Sequence, residues 1–201
     1  MQGIINKINS GVYILEIRLD KKIKLKHPKF LNFQLKTGFY YYVGSAQKNL
    51  SSRIQRHIRK SKKLHWHIDY LTSANETSVT KIFILSDADK KFETIIAENL
   101  TLQKYKIPLP GFGSSDDKKN QSHLFYSGRK ISQSHFSDLY HSIVCLIPSS
   151  VDTAGWKFNS FSALEILQVH ASWTKSLAFS RLNVAGFLLN IEKNCAIAAI
   201  R

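Results

Sequence analysis

The chain has 201 residues, 43% hydrophobic and 11% aromatic, which suffices to bury the core of one domain plus an extension and excludes wholesale disorder. Twenty-nine Lys and Arg against 14 Asp and Glu give a formal charge of +15, pointing to an anionic partner, nucleic acid or an acidic membrane surface. The excess is local: residues 1–130 carry 24 basic and 10 acidic side chains, and residues 21–68 carry 13 Lys/Arg and no acid.

The cysteines, Cys145 and Cys195, lack metal-ligand spacing and read as reduced thiols of a cytoplasmic protein. The opening MQGIINKINSG has no apolar signal core, and the apolar stretch from Leu182 to Ile200 is interrupted by Glu192, Lys193 and two asparagines. No membrane span is expected.

Residues 11–19 (GVYILEIRL) follow the turn signal Asn9-Ser10-Gly11 and predict a strand. Residues 31–36 (LNFQLK) alternate apolar and polar and are expected to pair with their neighbours across a Thr37-Gly38 turn, which leads into a second aromatic strand at 39–44 (FYYYVG). At 50–60 the period changes. Leu50, Ile54 and Ile58 recur as one helical stripe, Arg53, His57 and Lys60 form another beside it, and Arg56, Arg59, Lys62 and Lys63 surround them. Residues 62–71 predict a short helix or an extended segment, and 79–85 (VTKIFIL) a strand. Residues 90–103 return to helical spacing with Phe92, Ile95, Ile96 and Leu100 on one face, and Pro108 and Pro110 close that region. A glycine-serine loop, GFGSSDDKKNQS, precedes a last short strand at 123–126.

After Gly128 serines become frequent and charges sparse, with helical spacing only at 161–169 and 182–192. These elements imply an α/β fold of the α+β kind, a small mainly antiparallel sheet flanked by helices, over residues 1–128. Residues 129–201 form a C-terminal extension of unassigned role, helical or partly disordered.

Four features occur in order: Gly11-Val12-Tyr13 on the first strand, Tyr42-Val43-Gly44 on a later one, Arg53-x-x-x-His57 on the next helix, and the acidic helix FETIIAENL. With these the chain resembles the GIY-YIG nuclease superfamily. YVGSA, RHIR, KKLHWHIDYL and PGFGSSD…SHLFY are similar to an uncharacterised microbial subfamily, some members of which are fused to endonuclease III-like glycosylases. The resemblance covers about 11–127. Tyr42 follows Tyr13 by 29 positions, more than the usual spacing, which implies an inserted hairpin near the site. Asp117 and Asn120 stand where the subfamily usually has two cysteines, so no metal or redox role is expected of that pair.

The resemblance implies a metal-dependent endonuclease hydrolysing phosphodiester bonds in DNA, in repair or processing. It makes Tyr13 the base, Tyr42 its partner near the attacking water, Arg53 the phosphate clamp and His57 a proton relay from Tyr13. One glutamate would hold a single divalent ion, Mg²⁺ or Mn²⁺, for which a hard carboxylate and several waters suffice. At ~100° per residue Glu93 falls at the border of the apolar face of its helix while Glu98 points away, so Glu93 is the expected ligand.

Nucleic-acid contacts are expected from Arg56, Arg59, Lys60, Lys62, Lys63, His65 and His67. Ser114 and Ser115 join them if the Gly111–Ser115 loop cradles a phosphate through its amides and hydroxyls. His65, His67 and Asp69 share a face as a second metal site only in an extended segment; packing or a DNA contact is the plainer reading. Plainer readings exist for the rest too: core tyrosines, an arginine that grips phosphate without catalysis, a histidine packed against the sheet. At the level of the whole chain the alternatives are a non-catalytic nucleic-acid-binding module and a protein-interaction domain with incidental charge.

Overall fold

A computed structural model describes residues 8–132, 135–136, 143–146 and 148. All lie in the first of the chain's two units, Met1–Ser160. Phe161–Arg201, with the helices expected at 161–169 and 182–192, falls outside the described residues.

Five strands form one antiparallel sheet in the order β6-β4-β1-β5-β7: β1 (Gly11–Leu19), β4 (Gly38–Ala46), β5 (Thr77–Ser86), β6 (Leu124–Ser127) and β7 (Ile143–Leu146). Helices α1 (Leu50–Ile58), α2 (His67–Thr72) and α3 (Lys91–Leu102) flank it. The expected α+β class is what the chain adopts. Among the described residues no helix is long and apolar enough to cross a membrane.

β1 is buried at eight of its nine positions, because as the central strand it is covered on both faces. Its odd residues Tyr13, Leu15, Ile17 and Leu19 pack with Tyr40 and Tyr42 of β4 beneath Leu50 and Ile54 of α1 and Ile68 and Leu71 of α2. Its even residues Val12 and Ile14 pack with Tyr41, Val43 and Phe83 beneath Ile96, Ala97 and Leu100 of α3. The period of two thus sends α1/α2 and α3 to opposite faces.

Four expectations need correction. Residues 34–35 (β3, Gln34–Leu35) do not pair across Thr37-Gly38; they pair with β2 (Ile23–Lys24) in a separate ribbon. Gly38, at φ +137, turns the chain there, so the excursion over 20–37 folds back on itself and buries Leu25, Phe30 and Leu35 in the α1/α2 layer. α1 stops at Ile58 because Arg59 is extended (φ −61, ψ 130), so Lys60 leaves the expected stripe with Arg53 and His57. On α3 the inward face is Glu93/Ile96/Ala97/Leu100, and Ile95 stays 38% exposed, because at ~100° per residue it falls well round the helix from them. Finally, β7 pairs with β5, so the sheet runs past the boundary expected at residue 128.

Candidate active site

The register sets Tyr13 of β1 opposite Gly44 of β4. A Cβ at Gly44 would lie 2.6 Å from the Tyr13 hydroxyl oxygen, so the missing side chain is what lets the phenol lie flat over β4. From there the hydroxyl meets Nε2 of His57, one α1 turn beyond Arg53, at 2.7 Å. Tyr42 lies beside them, its ring 6.4 Å from that of His57 and 6.1 Å from that of Phe112.

Burial governs the titration of this group. It pushes the Tyr13 phenol well above its usual value, and the nearby Tyr42 adds to the push while Arg53 opposes it. Tyr42 is likewise driven up by burial and then by the charge of Glu93. The same desolvation, reinforced by the ammonium of Lys62, drops His57 to about 3. The ring is therefore neutral. Accepting the phenol proton at Nε2 leaves its own proton on Nδ1, a buried atom without a hydrogen-bond partner.

Arg53 Nη1 donates to the carbonyl of Ser45 at 2.6 Å, and its guanidinium stacks 4.8 Å over the Trp66 ring, which Arg56 covers at 5.0 Å. The Ser45 hydroxyl, on the other face of β4, donates to Oε2 of Glu93. Glu93 is thus tied to the residue whose carbonyl holds Arg53, although its helix packs on the opposite face from α1, and its charge raises both phenols. It stands in the first turn of α3, at the end of the sheet where Gly44 offers no obstruction. Glu98, by contrast, is exposed.

The other Glu93 oxygen is 3.0 Å from His123 Nδ1, and His123 Nε2 is 3.0 Å from Asp117 Oδ2. Asn120 Nδ2 and the Thr94 hydroxyl also donate to Asp117, at 2.8 and 3.0 Å. Burial works against a charged His123, but bonds to Glu93 and Asp117 outweigh it and raise the imidazole above its ordinary value. For Asp117 burial is likewise outweighed, by Asn120 and His123, and the carboxyl is held well below the usual range. Sequence reasoning missed Ser45, His123 and the anchoring role of Asp117. Their signal was membership of quoted motifs: Ser45 lies in YVGSA and His123 in SHLFY.

Tyr13, Tyr42, Arg53 and His57 therefore stand together, and Glu93 is linked to them through Ser45. The expected nucleic-acid contacts fare unevenly. Arg59, Lys63 and His65 are exposed. Arg56 is engaged with the Lys63 carbonyl and with Asp69 at 2.7 Å. Lys60 donates to the carbonyls of Thr72, Ala74 and Thr77. Lys62, 3% exposed, donates to the carbonyls of Arg56 and His57 and to the Thr72 hydroxyl, and burial lowers it to about 8. Both ammoniums are thus tied to backbone carbonyls, most of them where α1 and α2 end, although Lys60 itself stays exposed.

His65, His67 and Asp69 form no metal site. Asp69 is buried and accepts from the amides of His65 and Trp66, while His67 Nδ1 accepts from the Gly113 amide at 3.1 Å. Of the phosphate cradle expected at Gly111–Ser115, the first three amides are already engaged. The amides of Gly111, Phe112 and Gly113 go to Gln121, Leu109 and His67, and Ser114 is buried while Ser115 is exposed. The loop's actual work is steric. Gly113, at φ +76, has its Cα so close to the Tyr42 ring that a Cβ would lie 2.8 Å from it.

No curated protein and no solved structure matches the chain. One family model does, over residues 12–145, the span that runs from β1 through every site residue named above to β7. That match covers more than half of the sequence, and the chain belongs to the family described as domain of unknown function DUF123.

Proposed function

We propose that this chain is a cytoplasmic, metal-dependent endonuclease of the GIY-YIG type that hydrolyses phosphodiester bonds in DNA. One observation carries the reading: two phenols, a guanidinium, a neutral imidazole and a carboxylate from four separate elements meet at one end of the sheet. Packing alone does not require that set, since the Glu93 carboxylate is only 12% exposed and could have been replaced by an apolar side chain.

The donor set fits a hard divalent cation such as Mg²⁺ or Mn²⁺. Glu93 is a single carboxylate with a spare acceptor site on each oxygen, and among the described residues no His/Cys/Asp/Glu trio competes for such an ion. When bound, the cation would acidify a coordinated water and screen the phosphate charge. Ser45 and His123 hold Glu93 in place for it.

Arg53 keeps guanidinium N–H groups beyond the one given to Ser45, and these clamp a phosphate oxygen. With the phenol driven up and the imidazole down, a free tyrosinate is not the base. Instead the Tyr13 oxygen accepts the proton of the attacking water while its own proton passes to His57 Nε2, so Tyr13 stays neutral throughout. The negative charge growing on the phosphorane stabilises the imidazolium as it forms.

The low basicity of His57 favours one rival, a module that grips nucleic acid without cutting it. A nicking assay on supercoiled and branched DNA separates the two. Cleavage should require Mg²⁺ or Mn²⁺ and fall by about 10³-fold in Glu93→Ala and 10²-fold in Tyr13→Phe, with DNA binding retained. DNA bound but uncut with either ion leaves the binding module as the answer.

A further inference from the structure

The excursion over 20–37 is unused by the site and has a surface of its own. Its core-facing residues Leu25, Phe30 and Leu35 are buried, yet Leu31 is 55% and Phe33 40% exposed. Lys21, Lys22, Lys24, Lys26, Lys29 and Lys36 are all exposed around them, and among the described residues none of these six forms an ion pair. Leu31 and Phe33 thus form an apolar tip within a lysine-rich, acid-free segment.

The tip is joined to the site by rings. Phe33 lies 6.4 Å from Phe30, Phe30 5.4 Å from Phe112, and Phe112 6.1 Å from Tyr42. Lys29 pins the excursion to the same loop by donating to the Gly111 carbonyl at 3.4 Å. The platform is therefore a firm extension of the wall that carries Tyr42.

We propose that this excursion binds single-stranded nucleic acid, with unpaired bases stacking on Phe33 and Leu31 and the backbone running along the lysines. Charge complementarity selects a polyanion. Exposed apolar faces select a strand whose bases are free, since a paired duplex hides its base faces. Membrane binding is the other partner class for lysines and apolar tips, and continuity with the Tyr42 wall argues against it. The inference rests on the proposed function for its meaning, placing the cut beside an unpaired stretch, but binding is measurable without any cleavage.

The test uses the full chain and fluorescence anisotropy with a labelled oligo-dT, a blunt duplex of equal length, and phosphatidylserine vesicles. Leu31→Ala/Phe33→Ala alters exposed side chains and should keep the melting temperature. It should weaken oligo-dT binding about tenfold, leave duplex binding within twofold and leave the salt dependence unchanged. Lys22→Gln/Lys24→Gln/Lys26→Gln should flatten the salt dependence on both nucleic acids. Equal losses on strand and duplex, no loss on either, or binding to vesicles in preference to oligo-dT overturns the assignment. Strand binding by a parent chain that cuts no DNA with either Mg²⁺ or Mn²⁺ overturns the nuclease reading and leaves this one standing.

Discussion

The two buried histidines of the site, His57 and His123, differ in the sign of their titration. Both lose solvation, and in both that loss disfavours the imidazolium. His57 faces a phenol and the cations Lys62, Arg53 and Arg56, and the one charge that opposes the loss, Asp69, does not offset it. His123 lies between two carboxylates that more than offset it. Burial sets the cost and neighbours set the outcome. One end of the sheet thus holds a neutral half built by packing and a charged half built by ion pairs.

Gly44→Ala gives the largest effect and breaks the packed half alone. The new methyl would sit 2.6 Å from the Tyr13 oxygen, so the ring must leave His57. Overpacking of this kind costs about 1–3 kcal/mol, and chemical denaturation should show that loss while cleavage drops far more steeply. In Ser45→Ala, a change to the charged half, only one hydrogen bond disappears, and stability should fall by about 1 kcal/mol.

Opposite pH slopes sharpen the contrast. His57 has a folded value below its unfolded one, so the unfolded chain takes the proton first and stability drains away as pH falls from about 6.5 towards 3. His123 has a folded value above its unfolded one, so its contribution is complete below about 6.5 and is lost as pH rises through the raised value. Each slope is at most about 1.4 kcal/mol per pH unit. Because Asp69, Asp116 and Asp117 also lose stability in acid, the readout is the difference between the parent and His57→Gln, or His123→Gln, across pH 4–9. Slopes of the same sign from both variants contradict the contrast.

The smallest effect is expected at Trp66→Leu. It removes the surface on which Arg53 and Arg56 stack, and should weaken substrate binding a few-fold with little change in the cleavage step.

Much of this was legible in the sequence where side chains repeat with a period. The runs GVYILEIRL and FYYYVG declared β1 and β4, and the spacing of Leu50 and Ile54 declared α1. Helix phase picked Glu93 over Glu98, although the inward face proved to centre on Ala97. Contacts made by single polar residues across long chain distances were not legible. Ser45 and His123 carry no periodic mark, and only strand register and the 111–122 loop bring them to Glu93. Lys60 and Lys62 looked like members of a basic face because sequence does not say which ammonium ends on a carbonyl. β7 went unread because four apolar residues in a serine-rich stretch form no alternating pattern.

Whether the two halves act on one phosphodiester is decided by single-turnover cleavage of labelled DNA in Mg²⁺ with the parent chain, His57→Gln, Glu93→Gln and the double variant. Groups working as a unit give non-additive losses, so the double variant should be about as slow as the worse single one. Losses that multiply in full, or a parent chain that binds the DNA and leaves every phosphodiester intact, contradict a shared hydrolytic centre.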